Sequence, residues 1–258
     1  MKNWMDILYF TVTGKGERAN NEDYYGHACH DNIITFVLSD GVGGQAGGAM
    51  ASKIVVEMTR RHAKSLERTE MLHGYEAIER EITNQQQRRP EYKSMGATVA
   101  ELRIDPAKQM AIWGHFGDSR VYWIRNREIL AVTGDHSVVR NLAAAGLISE
   151  SEALTHPKKN ILLGAFGMAG DVAPEVLEKP VYLADGDAFL LCTDGVWNCV
   201  SDHDILELLR TSSSVEEWVR KLESQIREAV LDDKDNYTAI GVWVTFSDDR
   251  TVQIGRGR

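Results

Sequence analysis

Apolar residues along this chain keep two rhythms. Residues 33–38 read IITFVL, 97–104 alternate, and Ala188–Cys192 and 237–246 are further apolar runs, all of them strand-like. Met110–Phe116 and residues 120–124 flank a Gly-Asp-Ser turn, which predicts a hairpin. A period near four marks the helices. After the glycines of 41–48, Met50, Ile54 and Met58 recur, followed by Met71, Tyr75, Ile78 and Ile82. Late in the chain, Ser214 and Glu217 make a capping-box pattern ahead of Trp218, Leu222 and Ile226. These stripes read as core faces. Strands that follow one another without a helix between them predict mostly antiparallel sheets. The expected fold is α+β, a central sandwich of strands with helices outside it.

Composition narrows the partners. The 258 residues can enclose one large core, and with only 5 Pro there is no Pro-rich linker to divide it. One domain over 1–246 is expected, then a polar, Gly/Arg-rich tail over 247–258. A net charge of -9 argues against nucleic-acid or anionic-membrane partners, which select basic patches. The cysteines, Cys29, Cys192 and Cys199, are odd in number and lack metal-finger spacing, so a reducing compartment is expected. Residues 1–10 carry Lys2, Asn3 and Asp6 and do not read as a signal peptide. The apolar run 239–246 is too short to span a bilayer. A cytoplasmic location without membrane insertion follows as the expectation.

Candidate chemistry lies in aspartates. Asp40 follows IITFVL and precedes Gly41; Asp194 follows FLLCT and precedes Gly195; Asp118 sits between two strand-like runs. A carboxylate at a strand end is held by a rigid element at the rim of the core. Any single Asp-Gly pair is by default a turn, and Asp185-Gly186-Asp187 is read that way, with one structural Asp. Carboxylates that converge from separate strands repel one another, and hard oxygen-seeking cations such as Mg²⁺ or Mn²⁺ resolve that conflict.

The segments RANNEDYY (18–25), LSDGVGG (38–44), SMGATV (94–99), GHFGDSRVY (114–122), TGDHS (133–137), NILLGAFG (160–167), LLCTDGVW (190–197) and DNYTAIGV (235–242) stand in one order. In that order they resemble the type-2C, or PPM, metal-dependent serine/threonine protein phosphatases, compact bacterial type. The resemblance implies a four-layer α-β-β-α sandwich and hydrolysis of phosphoserine and phosphothreonine on proteins by metal-activated water. It implies two core Mg²⁺ or Mn²⁺ ions and a third in bacterial members. The implied partners are a phosphoprotein and a cognate serine/threonine kinase, in signalling or secretion control. Residue by residue, Asp40 matches the aspartate that bridges the core metals, and the Gly41 carbonyl matches a ligand of one of them. Asp194 and Asp235 match ligands of the other. Glu22 and Asp23 match acids that hold metal-bound water. Arg18 matches the arginine on the substrate phosphate, a task suited to a planar guanidinium. Asp118 matches an acid tied, with Asp194, to the third metal.

One departure stands out. Where eukaryotic members often carry a His proposed as general acid, this chain has Val42. His115 and His136 lie inside matched segments and read as hydrogen-bonded structural residues. Residues 143–159 correspond to the flap of bacterial members, with a helix start at Ser149, Glu150 and Glu152. A cysteine-based phosphatase needs an Arg six positions after its nucleophile, and those positions hold Thr35, Asn198 and Ile205. A catalytically silent relative that binds signalling partners is the alternative, but such proteins typically lose metal aspartates.

Overall fold

The computed structural model describes residues 4–42, 46–149, 152–153, 156–170, 172–230 and 234–247. Its first sheet contains β1 (Trp4–Gly14), β8 (Arg120–Arg125), β9 (Glu128–Val132), β12 (Ala188–Cys192) and β13 (Tyr237–Ser247), in the order β1-β13-β12-β8-β9. The second contains β2 (Tyr24–His30), β3 (Ile33–Ser39), β6 (Val99–Asp105) and β7 (Met110–Phe116), with the short β10 (Glu175–Val176) and β11 (Val181–Tyr182) both paired to β7. Two further short strands, β4 (Gly41–Val42) and β5 (Gly96–Ala97), pair with each other. Every pairing is antiparallel.

Helices α1 (Ala46–His62) and α2 (Arg68–Arg88) cover the second sheet. After the short α3 (Val138–Ala144) and α4 (Asp194–Trp197), α5 (Asp202–Arg210) and α6 (Val215–Glu228) cover the first. The core accordingly has three slabs. Val55, Met71, Ile78 and Ile112 fill the one under α1 and α2. Phe36, Leu102, Trp113, Phe189 and Val242 lie between the sheets. Tyr122, Leu190, Trp218 and Leu222 fill the one under α5 and α6. Successive residues of a strand face opposite sides, so Leu190 packs toward the helices while Phe189 and Leu191 pack toward the other sheet. Both faces being covered explains why central strands such as β12 read as unbroken apolar runs. This is the expected four-layer α-β-β-α sandwich.

The capping box predicted ahead of α6 is present in a shifted form. Ser214 Oγ accepts from the Glu217 N–H at 3.1 Å, while the Glu217 carboxylate reaches back to Ser213 N at 2.8 Å. Such a cap contributes about 1 kcal/mol. Asp185-Gly186-Asp187 is a turn, with Gly186 at φ 79° and Asp187 fully buried. Ser149 and Glu152 bond each other as at a helix start, whereas Glu150 lies outside the described residues. So does the expected tail beyond Ser247. No helix among the described residues is long and apolar enough to cross a membrane.

Two expectations change. Met110–Phe116 and 120–124 are not a hairpin: β7 pairs with β6, β10 and β11 in the second sheet, whereas β8 pairs with β12 and β9 in the first. Gly117 turns the corner between sheets at φ 100°, a left-handed value that glycine takes without strain. The run 97–104 is broken at Thr98. Gly96 and Ala97 pair with Val42 and Gly41, and only from Val99 does the chain join the second sheet.

Candidate metal centre

Sheet register collects the aspartates at one end of the sandwich. β2 and β3 are antiparallel neighbours, and the pairing of Tyr24 with Ser39 sets Asp23, before one strand, beside Asp40, after the other. The pairing of Cys192 with Ala239 does the same for Asp194 and Asp235 around β12 and β13. Asp118 occupies the corner where the chain passes from the second sheet to the first. Hydroxyls stitch the sheets together at this point. Thr193 Oγ1 at 3.0 Å and Thr238 Oγ1 at 2.7 Å both donate to Asp23 Oδ2. The Thr238 N–H donates in turn to Thr193 Oγ1 at 2.9 Å.

The electrostatics are those of crowded, desolvated carboxylates. Burial pushes Asp23 up to about 6, against the pull of its threonine hydroxyls and of a hydrogen bond with Asp40, with the charge of Asp235 adding to the rise. Asp40 is pushed well above the usual carboxylate range by burial, then by the charges of Asp23, Asp194 and Asp118. Burial and the neighbouring Asp135 raise Asp118 to about 7. Asp194 is likewise raised, by burial and by Asp118, Asp235 and Asp23. Each carboxyl thus feels several of the others. Asp23 Oδ1 and Asp194 Oδ1 are buried with no hydrogen-bond partner, although buried polar atoms are normally satisfied. Buried oxygens of this kind, on converging carboxylates, are donors suited to hard divalent cations.

The remaining expected residues stand around this cluster. Arg18 Nη2 donates to Asp235 Oδ2 at 3.0 Å, and its side chain is exposed at the rim. Glu22 is fixed through its backbone, with its N–H on Asn236 Oδ1 at 2.7 Å and its carbonyl accepting from Ser52 Oγ at 2.5 Å. A Cβ at Gly48 would collide with the Glu22 carboxylate, and one at Gly41 would strike the Gly48 backbone. The glycines therefore let the start of α1 close onto the Asp40-Gly41 corner.

The Asp118 corner has its own brace. Trp197 Nε1–H donates to the Asp118 carbonyl at 2.9 Å. Arg120 lies over the Trp197 ring at 4.0 Å and grips Asp135 through two bonds of 2.7 Å. His115 and His136 stack at 4.6 Å beside Glu175. The Gly117 N–H donates to His136 Nδ1 at 3.1 Å, which leaves the His136 proton on Nε2, 3.4 Å from a Glu175 oxygen but without hydrogen-bond geometry to it. His115 donates from Nε2 to the Gly134 carbonyl at 2.8 Å. His136, with its proton on Nε2, cannot ligate a cation there, whereas His115 keeps an unprotonated Nδ1; the bonds of the two rings to Gly117 and Gly134 tie the backbone together at this corner.

Sequence reasoning missed the hydroxyls. Ser39, Thr98, Ser119, Thr193 and Thr238 are buried, and all but Thr98 lie within a few residues of a candidate carboxylate in the sequence. The available signal was a lone Ser or Thr at the end of an otherwise apolar run.

The sequence model of the protein phosphatase 2C family matches residues 15–234. The chain belongs to that family. Among relatives of this phosphatase 2C chain, the protein phosphatase PhpP of Streptococcus pneumoniae is 33% identical over 212 residues, 80% of this chain and 84% of its own. The serine/threonine phosphatase of S. agalactiae has the same fold, with a TM-score of 0.83 and 29% identity over 92% of this chain and 99% of its own. The catalytic domain of the serine/threonine phosphatase PstP, solved with two manganese ions, gives a TM-score of 0.80 at 27% identity, over 93% and 99% of the two chains.

Proposed function

We propose that this chain hydrolyses phosphoserine and phosphothreonine on proteins, using a cluster of Mg²⁺ or Mn²⁺ ions, and so opposes a serine/threonine kinase. The observation that carries the reading is the set of buried carboxylates from both sheets, with oxygens left unpartnered at Asp23 and Asp194. In this reading Asp40 would be shared between two core cations, one of them also held by the Gly41 carbonyl. Asp194 and Asp235 would hold the other, Glu22 and Asp23 would act through water, and Asp118 with Asp194 would hold a third. When bound, such cations supply Lewis acidity, which activates water and draws charge from phosphoryl oxygens.

The protein's own groups do the rest. Asp23 is oriented by two hydroxyls, so its free oxygen keeps one direction. Arg18 stands at the rim beside Asp235, where a planar guanidinium can take two oxygens of a phosphate and offset the charge that builds on them. Burial of Asp194 and partial burial of Asp40 limit how far bulk water screens these interactions.

The test is phosphate release from a phosphothreonine peptide by the purified chain, with Mn²⁺ titrated against EDTA. Metal-dependent release is expected. A folded protein that binds the peptide but releases no phosphate at any metal concentration is a silent relative, and the proposal fails.

A further inference from the structure

The segment 94–99 has no role in the reading above, yet Thr98 uses every polar group it has. Its N–H donates to the Asp40 carbonyl at 2.9 Å, and its own carbonyl accepts from Ser39 Oγ at 2.6 Å. Its Oγ1 accepts from the Asp40 N–H at 2.9 Å and meets Ser119 Oγ at 2.7 Å. Its methyl faces Gly117, where an added Cβ would come within 2.6 Å of it. Thr98 and Ser119 are both fully buried. Asp40 ends a strand of the second sheet, and residues 117–119 are the corner leading into the first. One side chain is therefore bonded to both the loop that carries Asp40 and the loop that carries Asp118.

A hydroxyl holds one proton and two lone pairs, enough to accept from Asp40 N–H while sharing a bond with Ser119. Valine has the same shape and can do neither. Serine can do both but leaves a gap against Gly117. Thr98 also explains why the strand breaks here: in a continuous β6 its backbone would pair with the sheet and not with Asp40.

We infer that Thr98 is a positioning residue that fixes the Asp40 loop relative to the Asp118 corner, and so sets the spacing between the core cation pair and the third cation. This rests on the metal-dependent reading proposed above. Partners that orient ligating groups typically carry a 10–100-fold effect on metal affinity or activity.

The experiment compares Thr98→Val, Thr98→Ser and Ser119→Ala with the unaltered chain. Mn²⁺ affinity is read by calorimetry, p-nitrophenyl phosphate turnover by kinetics well below the melt, and thermal stability in EDTA. Thr98→Val is expected to lose roughly 10–100-fold in Mn²⁺ affinity, turnover or both, with Thr98→Ser recovering most of it. Ser119→Ala is expected to lose less, and its loss should not add to that of Asp118→Ala, because both act at the same corner. A Thr98→Val protein that only melts earlier, with Mn²⁺ affinity and turnover intact, overturns the inference. Should Thr98→Val not fold, Ser119→Ala decides, and a Mn²⁺ isotherm and turnover equal to the unaltered chain overturn it. An unaltered chain that binds no Mn²⁺ removes both readings, whereas one that binds and turns over beside an equally active Thr98→Val removes this one alone.

Discussion

Two buried aspartates stand at opposite ends of one strand. Asp187 precedes β12 and Asp194 follows it. At Asp187 each oxygen is claimed: Arg125 donates at 2.6 and 2.7 Å, and Ala184 N at 2.9 Å. At Asp194 the help is neutral and weak, from the Asn198 amide at 3.4 Å and the Gly195 backbone, one oxygen has no geometric hydrogen-bond partner, and the charged neighbours are carboxylates. Both flank one strand and both are buried, so the difference is one of purpose. A buried charge with its counter-ion in place holds the far turn to the sheet. A buried charge surrounded by like charges is costly unless something cationic arrives. The far end of the sandwich is complete as protein, and the near end is complete only with a ligand.

Breaking the near end should abolish function and spare the fold. Asp40→Asn removes a carboxylate from a position where three others, Asp23, Asp194 and Asp118, raise its pKa. Activity on a phosphothreonine peptide is expected to fall on the order of 10²-fold or more, the scale of losing one strong electrostatic contact to a reacting group. The melt in EDTA should stay level or rise, since repulsion is relieved. Near-normal turnover at saturating Mn²⁺ would contradict the assignment of Asp40 as the bridge.

A smaller effect is expected at the corner between sheets. Asp118→Ala should leave core-metal affinity in place and reduce turnover, more with phosphothreonine peptide than with p-nitrophenyl phosphate. The second leaving group needs little protonation, and Val42 cannot supply a proton. Calorimetry and kinetics on both substrates test this, and equal losses on both would remove the leaving-group role. Because Trp197 and the His115–His136 pair brace the corner independently of the Asp118 side chain, the corner itself should survive.

Breaking the far end should do the reverse. Asp187→Ala strands Arg125, which keeps some contact with water, so a cost of about 1–3 kcal/mol is expected, seen as a melt several degrees lower. Mn²⁺ affinity and turnover below the melt should not change. A loss of Mn²⁺ affinity would mean that the two ends of β12 are coupled.

How far the sequence reached follows from what local pattern encodes. The stripes of α1, α2 and α6 were legible because helical spacing is a local signal, and the strand-end aspartates because Asp-Gly after an apolar run is too. Partners were not legible. β8 looked like the return arm of a hairpin because its closeness to β7 in sequence says nothing about which sheet it enters. β1 went unseen because Ile7 and Tyr9 face one slab and Leu8 and Phe10 another, which erases the alternation. α5, with Ile205 and Leu209 buried, is short and showed too few periods. The hydroxyls around the cluster act across sheets, so their meaning appears only when Thr193 and Thr238 are seen to meet Asp23.

The smallest effect expected is a pH dependence confined to the metal-free near end. In an unfolded chain these carboxyls titrate near 4. Folded and without metal, Asp23 titrates at about 6 and Asp118 at about 7, with burial the main cause. Between those values the folded chain holds protons that the unfolded chain has released. The contribution of these groups to stability is therefore fully present below about pH 4 and is lost as pH rises through the folded values. Melts in EDTA should be lower at pH 8 than at pH 5.5. Saturating Mn²⁺ should flatten or reverse that slope, because cations stabilise the ionised carboxylates of the folded state. Buried His115 and His27, whose pKa values burial lowers, pull the opposite way over this range, so a flat or opposite slope in EDTA would show that the strain of the near-end carboxyls does not exceed theirs. A slope that Mn²⁺ leaves untouched would show that the strain does not serve metal binding, and the contrast between the two ends of β12 would then need another cause.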